Sequence, residues 1–482
     1  MTRTLPRNRQ ITWSLLLCAA CSQAPNDAGD TNANGVTGLP ASTAGAGQGT
    51  AGKASAAAPV TQTSSAGRSG SGTSTMSGAA GKAATAGAGP GTSVGTSGAS
   101  GASGSAQPVA GSGGSEVTRE LAPLDCGQDG IAIENAGPPK NRINYVVLGD
   151  GYTKDQVSTF KEHMDFAMKK RFSEVIGQPY GRYRKFVNIC AIPLPSENGP
   201  IGSGATPLSC SGDDQSRLAR CDTNKANSEI KARLPASFEV DWKAVVLNND
   251  RWWNTGAVLM LWSGGNEDAD GAALHEGGHG FHQLADEYDG SESNCGREFD
   301  EVNSTADTMM TGGKWDMWLG YDQTGATGMQ KTFEGSRYCS SGQFRPSDNS
   351  MMNMLFGDKP DTAYNSVSRE KMVMDIWRAV TPIDETKPPA GDAGSATMLE
   401  VVVIDPEVVS VDWSVDGQVV AAKGGTRFDL AAQKLASGSH TVSAKAYDNA
   451  GMELVRYTTG TKYGRMNWAR SQQTVEWKVT TP

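Results

Sequence analysis

The chain has little of what marks a nucleic-acid-binding or membrane-spanning protein. Its 43 lysine and arginine residues are outnumbered by 52 aspartate and glutamate residues, which gives a net charge of -9. This balance argues against nucleic acid as a partner and against a basic membrane-binding face. The apolar run near the start, residues 11–20, is too short to cross a bilayer comfortably. A membrane contact is therefore expected only through an attached lipid.

Cysteine is scarce and lacks the spacing of a structural zinc site. Two of the 8 cysteines, Cys18 and Cys21, belong to a predicted export signal, which leaves 8 − 2 = 6 in the rest of the chain. None of these six forms a Cys-x-x-Cys pair, and an even number in an exported chain predicts disulfides. Cys210 and Cys221 flank a polar loop and are the expected local pair, whereas the pairing of the other four is open.

The first 116 residues differ in composition from the rest and predict no folded domain. Residues 1–21 place three arginines before a short apolar run that ends in small residues, as a secretory signal does. This layout resembles a bacterial lipoprotein signal in which Cys21 becomes the lipidated first residue, and simple secretion is the alternative. Residues 22–116 are almost entirely Gly, Ala, Ser and Thr, which predicts a disordered tether. We expect an exported protein, held at the bacterial cell surface by a lipid or else secreted.

Strand and helix patterns alternate in the next part of the chain. Residues 143–172 read as a buried strand, a Gly-Asp-Gly turn and a helix. Two short β-rich runs, at 243–250 and 255–265, come before a histidine-rich segment, and a helix is predicted from Ser366 to Val380 after it. This order predicts an α/β (α+β) catalytic domain over residues 117–384.

Beyond a Pro/Gly-rich break the pattern becomes β only. Residues 385–397 are predicted to be a linker, and residues 398–482 contain short β runs separated by Gly, Asn and Asp. Asp416 and Gly417, between alternating residues, predict a hairpin. The spacing predicts an all-β immunoglobulin-like sandwich domain. The residues expected in its core are Trp413, Val415, Val442, Ala444 and Ala446.

Residues 272–288, AALHEGGHGFHQLADEY, hold three of the five histidines of the chain. His275, Glu276 and His279 form the pattern H-E-x-x-H, which on a helix places both imidazoles on one face where they can bind one zinc ion. Glu276 then stands beside a water molecule whose pKa the zinc lowers, and it can accept a proton from that water. The pattern predicts hydrolysis of a peptide bond or a related amide.

A catalytic zinc ion needs a third protein ligand, for which the residues alone leave several choices. His282 lies on the same helical face, but on a continuous helix it is about 10.5 Å along the axis from His275. A turn after His282 would bring Asp286 back beneath the metal, and His282 could itself be the turning residue because histidine tolerates positive φ. Asp286 is favoured, and His282, Glu287 or a remote residue are the alternatives.

The segment HEGGHGFHQLADEY looks like the H-E-x-x-H-x-x-x-x-L-A-D-E-Y signature of the IgA-specific metalloendopeptidase family, and NYVVLGDGYT resembles the opening strand and turn of that family. The resemblance implies a metzincin-like fold for the catalytic domain. It also implies one catalytic zinc ion held by His275, His279 and Asp286, with Glu276 as the general base. The sequence departs from the metzincin pattern at His282, where that pattern has a glycine.

Further candidate residues lie near this segment. Metzincin-like folds carry a methionine turn beneath the metal, for which Met352 is the first choice, with Met351 or Met354 as its neighbours. Tyr288 is a candidate catalytic donor to the developing oxyanion, with a packed core tyrosine as the alternative. Asp268 and Asp270 have the oxygen ligands that Ca²⁺ prefers, but their spacing lacks a recognised calcium loop, so that calcium is unsupported and a solvated loop is expected.

Together these observations predict a surface-anchored or secreted zinc metalloendopeptidase that hydrolyses peptide bonds of a protein or peptide substrate. One alternative is a surface binding module with a structural or vestigial metal site, and another is an amidase or peptidase that acts on cell-wall peptides. Glu276 counts against the binding module, because a structural site needs ligands but no general base. The residues leave the oligomeric state open.

Overall fold

The structure is a computed structural model that describes residues 121–256, 258–290, 292–308, 313–353, 363–451, 453–456 and 468–482. The predicted export signal and tether, residues 1–116, lie outside these ranges. No helix within the ranges is long and apolar enough to cross a membrane.

Residues 131–379 form helices and strands around a six-stranded sheet. The short pairs β4–β5, β9–β10 and β11–β12 form separate two-stranded sheets. In chain order the elements are β1 (Ile131–Glu134), β2 (Ile143–Asp150), α1 (Val157–Arg171), β3 (Val187–Pro193), β4 (Ser211–Gly212), β5 (Ala219–Arg220), α2 (Thr223–Arg233), β6 (Trp242–Leu247), β7 (Asn254–Thr255), β8 (Met260–Ser263), α3 (Ala269–Gly280), β9 (Asp322–Gln323), β10 (Gly328–Met329), β11 (Phe333–Ser336), β12 (Cys339–Arg345) and α4 (Ser366–Ala379).

The strands of the six-stranded sheet lie in the order β1, β3, β2, β6, β8, β7. The central strands run parallel, and the edge strands β1 and β7 run antiparallel to their neighbours. Every residue of β2 is buried, because a parallel sheet is covered on both faces. Tyr145 and Val147 pack into the core that contains α1 and α3, whereas Val146 and Leu148 face the core that contains α2. This order places the end of β8, which leads into α3, beside the edge strand β7.

The elements match the alternation predicted from sequence. The strand, turn and helix expected between residues 143 and 172 are β2 and α1, and the helix expected after the histidine segment is α4. β6 and β8 fall on the two short runs that were expected to form strands. The mixed α/β class predicted for this part of the chain is confirmed.

Three disulfide bonds join the described segments. The bond between Cys210 and Cys221 confirms the pair expected from sequence. The other two bonds, Cys126–Cys190 and Cys295–Cys339, close sequence separations of 64 and 44 residues. Such long-range pairs follow from the fold, since Cys190 lies on β3 and the segment after Cys126 leads into its neighbour β1.

The last part of the chain is rich in β structure and forms two sheets. One has three strands in the order β13, β15, β18, and the other has five in the order β14, β20, β19, β16, β17. The strands are β13 (Ile383–Lys387), β14 (Gly391–Gly394), β15 (Met398–Val403), β16 (Val409–Val415), β17 (Gln418–Ala421), β18 (Arg427–Asp429), β19 (Gly438–Asp448) and β20 (Gln472–Thr481).

The residues predicted for the core of this β-rich region lie in its interior. Trp413 of the five-stranded sheet stacks on Phe428 of the three-stranded sheet, with ring centroids 5.0 Å apart. The predicted hairpin joins β16 to β17, and its turn residues Asp416 and Gly417 have φ of 48° and 80°, as a two-residue turn of this kind requires. The predicted core residues, all of which are buried, are Trp413, Val415, Val442, Ala444 and Ala446.

The segment expected to be a linker, residues 385–397, takes part in both sheets. It contains most of β13, which pairs with β15, and all of β14, which pairs with β20. Its prolines, Pro388 and Pro389, lie between the two strands, and its glycines Gly391 and Gly394 lie in β14, which is an edge strand. The boundaries of the domains stay a prediction.

Asp448, at the end of β19, ties the β-rich region to α4 and to the chain before β3. Its side chain is 0% exposed. It accepts hydrogen bonds from the Tyr183 hydroxyl at 2.5 Å, Trp377 Nε1 at 2.7 Å and Arg182 Nη2 at 3.1 Å. A buried carboxylate is stable only when such donors replace its lost hydration. The described residues of both regions accordingly belong to one compact unit.

We expect the Asp448→Ala variant to lose on the order of 3 kcal/mol of unfolding free energy, because the buried donors of Tyr183 and Trp377 and the half-buried Arg182 lose their acceptor. Urea unfolding of the whole protein measures this change. The matched control is Asp392→Ala, since Asp392 is exposed and accepts only a local backbone hydrogen bond from Gly394. Equal effects of the two substitutions would show that Asp448 does not fasten the regions together.

Candidate metal centre

Helix α3 is packed closely on several sides around the predicted site residues. His275 and Glu276 are 1% and 0% exposed. A Cβ at Gly277 would lie 2.9 Å from the Trp242 ring, and one at Gly278 would lie 2.5 Å from Met352 Sδ. Glycine costs a helix interior about 1 kcal/mol relative to alanine. Here the missing side chains allow neighbouring groups to approach the helix backbone directly.

His275, His279 and Asp286 come together at the carboxyl end of α3. Their nearest ligand atoms all lie within 4.8 Å of one another. The two Nε2 atoms are 3.1 Å apart, and Asp286 Oδ1 lies 3.0 Å from Nε2 of His275 and 3.1 Å from Nε2 of His279. The side chains of His275 and Asp286 are buried, and that of His279 is 8% exposed. The structure thus brings together the three residues favoured from sequence.

The chain reverses direction directly after α3. The helix ends at Gly280, and Gln283 takes a positive φ of 55°. Backbone hydrogen bonds from Gln283 N to His279 O and from Leu284 N to Gly278 O, both 3.0 Å, close the turn. The expectation that His282 is the turning residue is therefore wrong, because the left-handed position falls one residue later. This turn carries Asp286 back beside the imidazoles.

The hydrogen bonds of the two imidazoles fix which ring nitrogen carries the proton. His275 Nδ1 lies 2.8 Å from the carbonyl oxygen of Met351, and His279 Nδ1 lies 2.7 Å from that of Leu284. A carbonyl oxygen only accepts, so each Nδ1 is the donating atom. In the neutral rings both Nε2 lone pairs then face each other and the Asp286 carboxylate. Three such acceptors repel one another unless a cation lies between them, and this ligand set suits zinc.

Asp286 supplies an ionised carboxylate to this group. Burial raises the pKa of its carboxyl group, but the charges and hydrogen bonds that His279 and His275 supply when they are protonated outweigh burial and hold that pKa well below its usual range. Its Oδ1 faces the two imidazoles. Its Oδ2 accepts a hydrogen bond from the hydroxyl of Tyr338. The two oxygens of the carboxylate therefore have different partners.

His282, one alternative third ligand, lies in a separate buried network. Its Nε2 is 2.5 Å from the Tyr180 hydroxyl and its Nδ1 is 3.1 Å from Asp375 Oδ2. Burial lowers its pKa to about 4 in spite of the opposing hydrogen bond and charge of Asp375, so the ring is neutral at pH 7. Lys371 Nζ donates to the backbone carbonyl of His282 at 3.1 Å. These contacts hold the chain where it leaves α3.

Glu287, the other alternative, is also engaged elsewhere. Its carboxylate accepts hydrogen bonds from Asn303 Nδ2 at 2.8 Å, Asn365 Nδ2 at 2.8 Å and Ser350 Oγ at 2.7 Å. Burial raises the pKa of Glu287, and these hydrogen bonds offset the effect of burial only in part. Glu287 therefore connects the segment of Asp286 to the start of α4, where Asn365 is the N-cap residue.

The predicted methionine segment lies against α3. Met351 and Met352 are both 0% exposed. Met354 lies outside the residues that the structure describes. The carbonyl of Met351 accepts from His275, and the carbonyl of Met352 accepts from the backbone N–H of Glu287 at 2.7 Å. Met352 Sδ packs on the backbone of Gly278. This segment supports both the first imidazole and the segment that carries the Asp286 carboxylate.

Of the remaining predicted residues, Tyr288 lies next to Tyr338, whereas Asp268 and Asp270 lie at the start of α3. Tyr288 is half-buried, and its ring packs edge-on against Tyr338 with centroids 5.2 Å apart. Asp270 Oδ1 forms an ion pair with Lys170 Nζ at 3.2 Å. Burial raises the pKa of Asp268. Neither aspartate joins a group of three potential metal ligands among the described residues.

Two residues close to the group were missed by the sequence analysis. One is Tyr338, whose hydroxyl contacts Asp286 across 52 positions of the chain. The other is Gly256, next to β7, where a Cβ would lie 2.4 Å from Glu276 Oε2 and 2.5 Å from His279 Cδ2. Nothing in the neighbouring sequence marks either residue as part of the site, since both are brought there by strands that are distant in sequence.

We expect Asp286→Ala to abolish binding of the metal and His282→Ala to retain it. Of these two residues, only Asp286 places a ligand atom beside the imidazoles of His275 and His279. The measurement is zinc content by atomic absorption after loading and gel filtration, with about one ion per chain in the unaltered protein. The unaltered protein and the two variants are compared at the same monomer concentration. Loss of zinc in the His282 variant alone would mean that three histidines hold the metal.

Comparison with known proteins places this group in a family. Residues 131–331 match the model of the family described as IgA Peptidase M64. No curated protein matches the chain. The matched span includes the six-stranded sheet, α3 and Asp286, and it ends before Tyr338, Met351 and α4. The resemblance inferred from the H-E-x-x-H segment is thereby confirmed for residues 131–331, which are similar to the IgA peptidase M64 family.

Proposed function

We propose that the protein is a zinc-dependent metalloendopeptidase that hydrolyses peptide bonds of protein or peptide substrates. The observation that carries this proposal is the convergence of two imidazole Nε2 atoms and one carboxylate oxygen within 3.1 Å of one another. A catalytic zinc site has three protein ligands and one position left for water. His275, His279 and Asp286 supply those three ligands. The peptidase family of the domain supports the same reaction class.

Glu276 is the residue to which we assign proton transfer. It follows His275 on α3 and is 0% exposed. Its Oε2 and the ring of His279 both approach Gly256, so the carboxylate lies on the side of α3 that faces the end of β7. Zinc, when bound, acts as a Lewis acid that lowers the pKa of a water molecule and polarises the scissile carbonyl. Glu276 accepts the proton of the attacking water and delivers it to the departing amine.

The substrate in this proposal is an extended strand that lies beside β7. β7 is the edge of the six-stranded sheet, and an edge strand offers backbone groups to an added strand. Part of that edge is already covered, since Asn254 N donates to Arg217 O at 3.2 Å. The covering loop is closed by the Cys210–Cys221 disulfide. The substrate would therefore enter past this loop and reach Glu276 at Gly256.

We assign a metzincin-like fold to the catalytic domain and an immunoglobulin-like sandwich to the β-rich region. Supporting the first are the parallel strands before α3, the sharp turn at Gln283 and the buried methionines against the helix. Supporting the second are the two sheets that share Trp413 and Phe428. The three disulfides support export, because such bonds persist in oxidising compartments. A lipid on Cys21 would then anchor the protein at the cell surface.

We expect Glu276→Gln to lower the turnover of casein by about 10²- to 10⁴-fold while zinc content stays unchanged, because the amide cannot accept the proton. Both quantities are measured on the same preparations. Glu267→Gln is the matched control, since Glu267 is exposed and lies just before α3. Full turnover by the Glu276 variant would show that Glu276 is not the proton acceptor. Retained zinc without any turnover by the unaltered protein would favour a binding module with a structural metal, and cleavage of purified cell wall but not casein would favour an amidase.

A further inference from the structure

We propose that Tyr338 is a positioning residue of the metal centre, whose hydroxyl holds one oxygen of Asp286 so that only the other oxygen is offered to the metal. The proposal rests on the proposed zinc site. The observation that supports it is that Asp286 Oδ1 faces the imidazoles of His275 and His279, while Asp286 Oδ2 accepts a hydrogen bond from the Tyr338 hydroxyl. A carboxylate with both oxygens available can bind a metal through one or through two.

The backbone at Tyr338 has a positive φ, which residues other than glycine rarely adopt. Arg337 and Tyr338 form the two-residue turn between β11 and β12, with φ of 53° and 62°. Such turns favour asparagine and glycine, because a Cβ is disfavoured at positive φ. Unfavourable backbone geometry persists where the surrounding structure fixes it, and it is frequent at functional sites. The turn therefore places a tyrosine where turn preference alone would not.

The same turn is hydrogen-bonded to the segment that carries Asp286. Arg337 N donates to the carbonyl of Asp286 at 2.9 Å, and Tyr338 N donates to the carbonyl of Tyr288 at 3.0 Å. Glu292 N donates in return to the carbonyl of Tyr338 at 2.8 Å. The phenol thus approaches Asp286 from a backbone that is already attached to it, which fixes the distance between them.

Two further contacts hold the turn in place. The Cys295–Cys339 disulfide joins the residue after Tyr338 to the segment that follows Asp286. The Arg337 guanidinium lies 3.7 Å from the centroid of the Phe299 ring and forms an ion pair with Glu301 at 3.2 Å. These contacts orient the Tyr338 hydroxyl before any metal or substrate is bound.

The consequence for the metal centre follows from ligand count. If Asp286 bound through both oxygens, the carboxylate and two imidazoles would fill four positions. A hydrogen bond to Oδ2 disfavours that arrangement and leaves the fourth position for water, which a catalytic zinc site requires. Partners of metal ligands commonly set the orientation and affinity of the ligands in this way.

The test is Tyr338→Phe, which keeps the ring and removes the hydroxyl. We expect its zinc affinity, measured by competition with a chromogenic chelator, to fall about 10- to 100-fold. With Co²⁺ in place of zinc, we expect weaker visible absorption, because absorption falls as the coordination number rises when the second oxygen binds. The zinc-free variant should unfold at the same temperature as the zinc-free unaltered protein, which excludes a general loss of structure.

Tyr447→Phe is the matched control, because the Tyr447 hydroxyl also donates to an aspartate, Asp412, but in the β-rich region. Its zinc affinity should be unchanged. Unaltered zinc affinity in the Tyr338 variant would overturn the proposal, including the case where turnover falls, since the hydroxyl would then act on substrate. An unchanged Co²⁺ spectrum would overturn it as well. Failure of the proposed function is distinguishable, because the unaltered protein would then bind zinc no more tightly than His275→Ala does.

Discussion

The rest of the structure depends on three acceptor atoms that face one another: Nε2 of His275, Nε2 of His279 and Oδ1 of Asp286. Because these atoms repel in the absence of a cation, each must be held by a contact behind it. Backbone carbonyls hold the two imidazoles, and a phenol holds the carboxylate. The burial and the hydrogen bonds around α3 therefore hold together a cluster that is unfavourable by itself, as the proposed metal site requires.

The parts of the site that could be predicted from the sequence are those whose residues lie close together along the chain. The H-E-x-x-H spacing predicted one helix face, and Asp286 lies close enough to return after a turn. His282 was the ambiguous residue, since its spacing also fits the helix face. Its exclusion from the group depends on Tyr180 and Asp375, which lie 102 and 93 positions away. Contacts at that range leave no pattern in a single sequence, and the same holds for Tyr338.

Helix α4 joins the parts of the molecule that sequence reasoning treated separately. Near its start Asn365 bonds to Glu287, in its middle Asp375 bonds to His282, and near its end Trp377 bonds to Asp448. The helix itself was predicted from its pattern, but its role in joining these parts was not. The sequence does not show which distant residue a buried polar side chain on a helix will contact. The strands β13 and β14 were missed for a related reason, since Pro and Gly favour breaks locally while pairing at a sheet edge is decided by distant strands.

The partners of α3 also determine the order in which the centre can be completed during synthesis. The carbonyl that orients His275 belongs to Met351, which lies 76 positions further along the chain. Asp448, which accepts a hydrogen bond from Trp377 of α4, lies 71 positions after that tryptophan, on β19. Contacts of such separation form only after the intervening chain is available and its closure entropy has been overcome. The growing polypeptide therefore carries the H-E-x-x-H segment long before it carries the groups that shape it. In chain order, the site is complete only when the segment that carries Met351 is present.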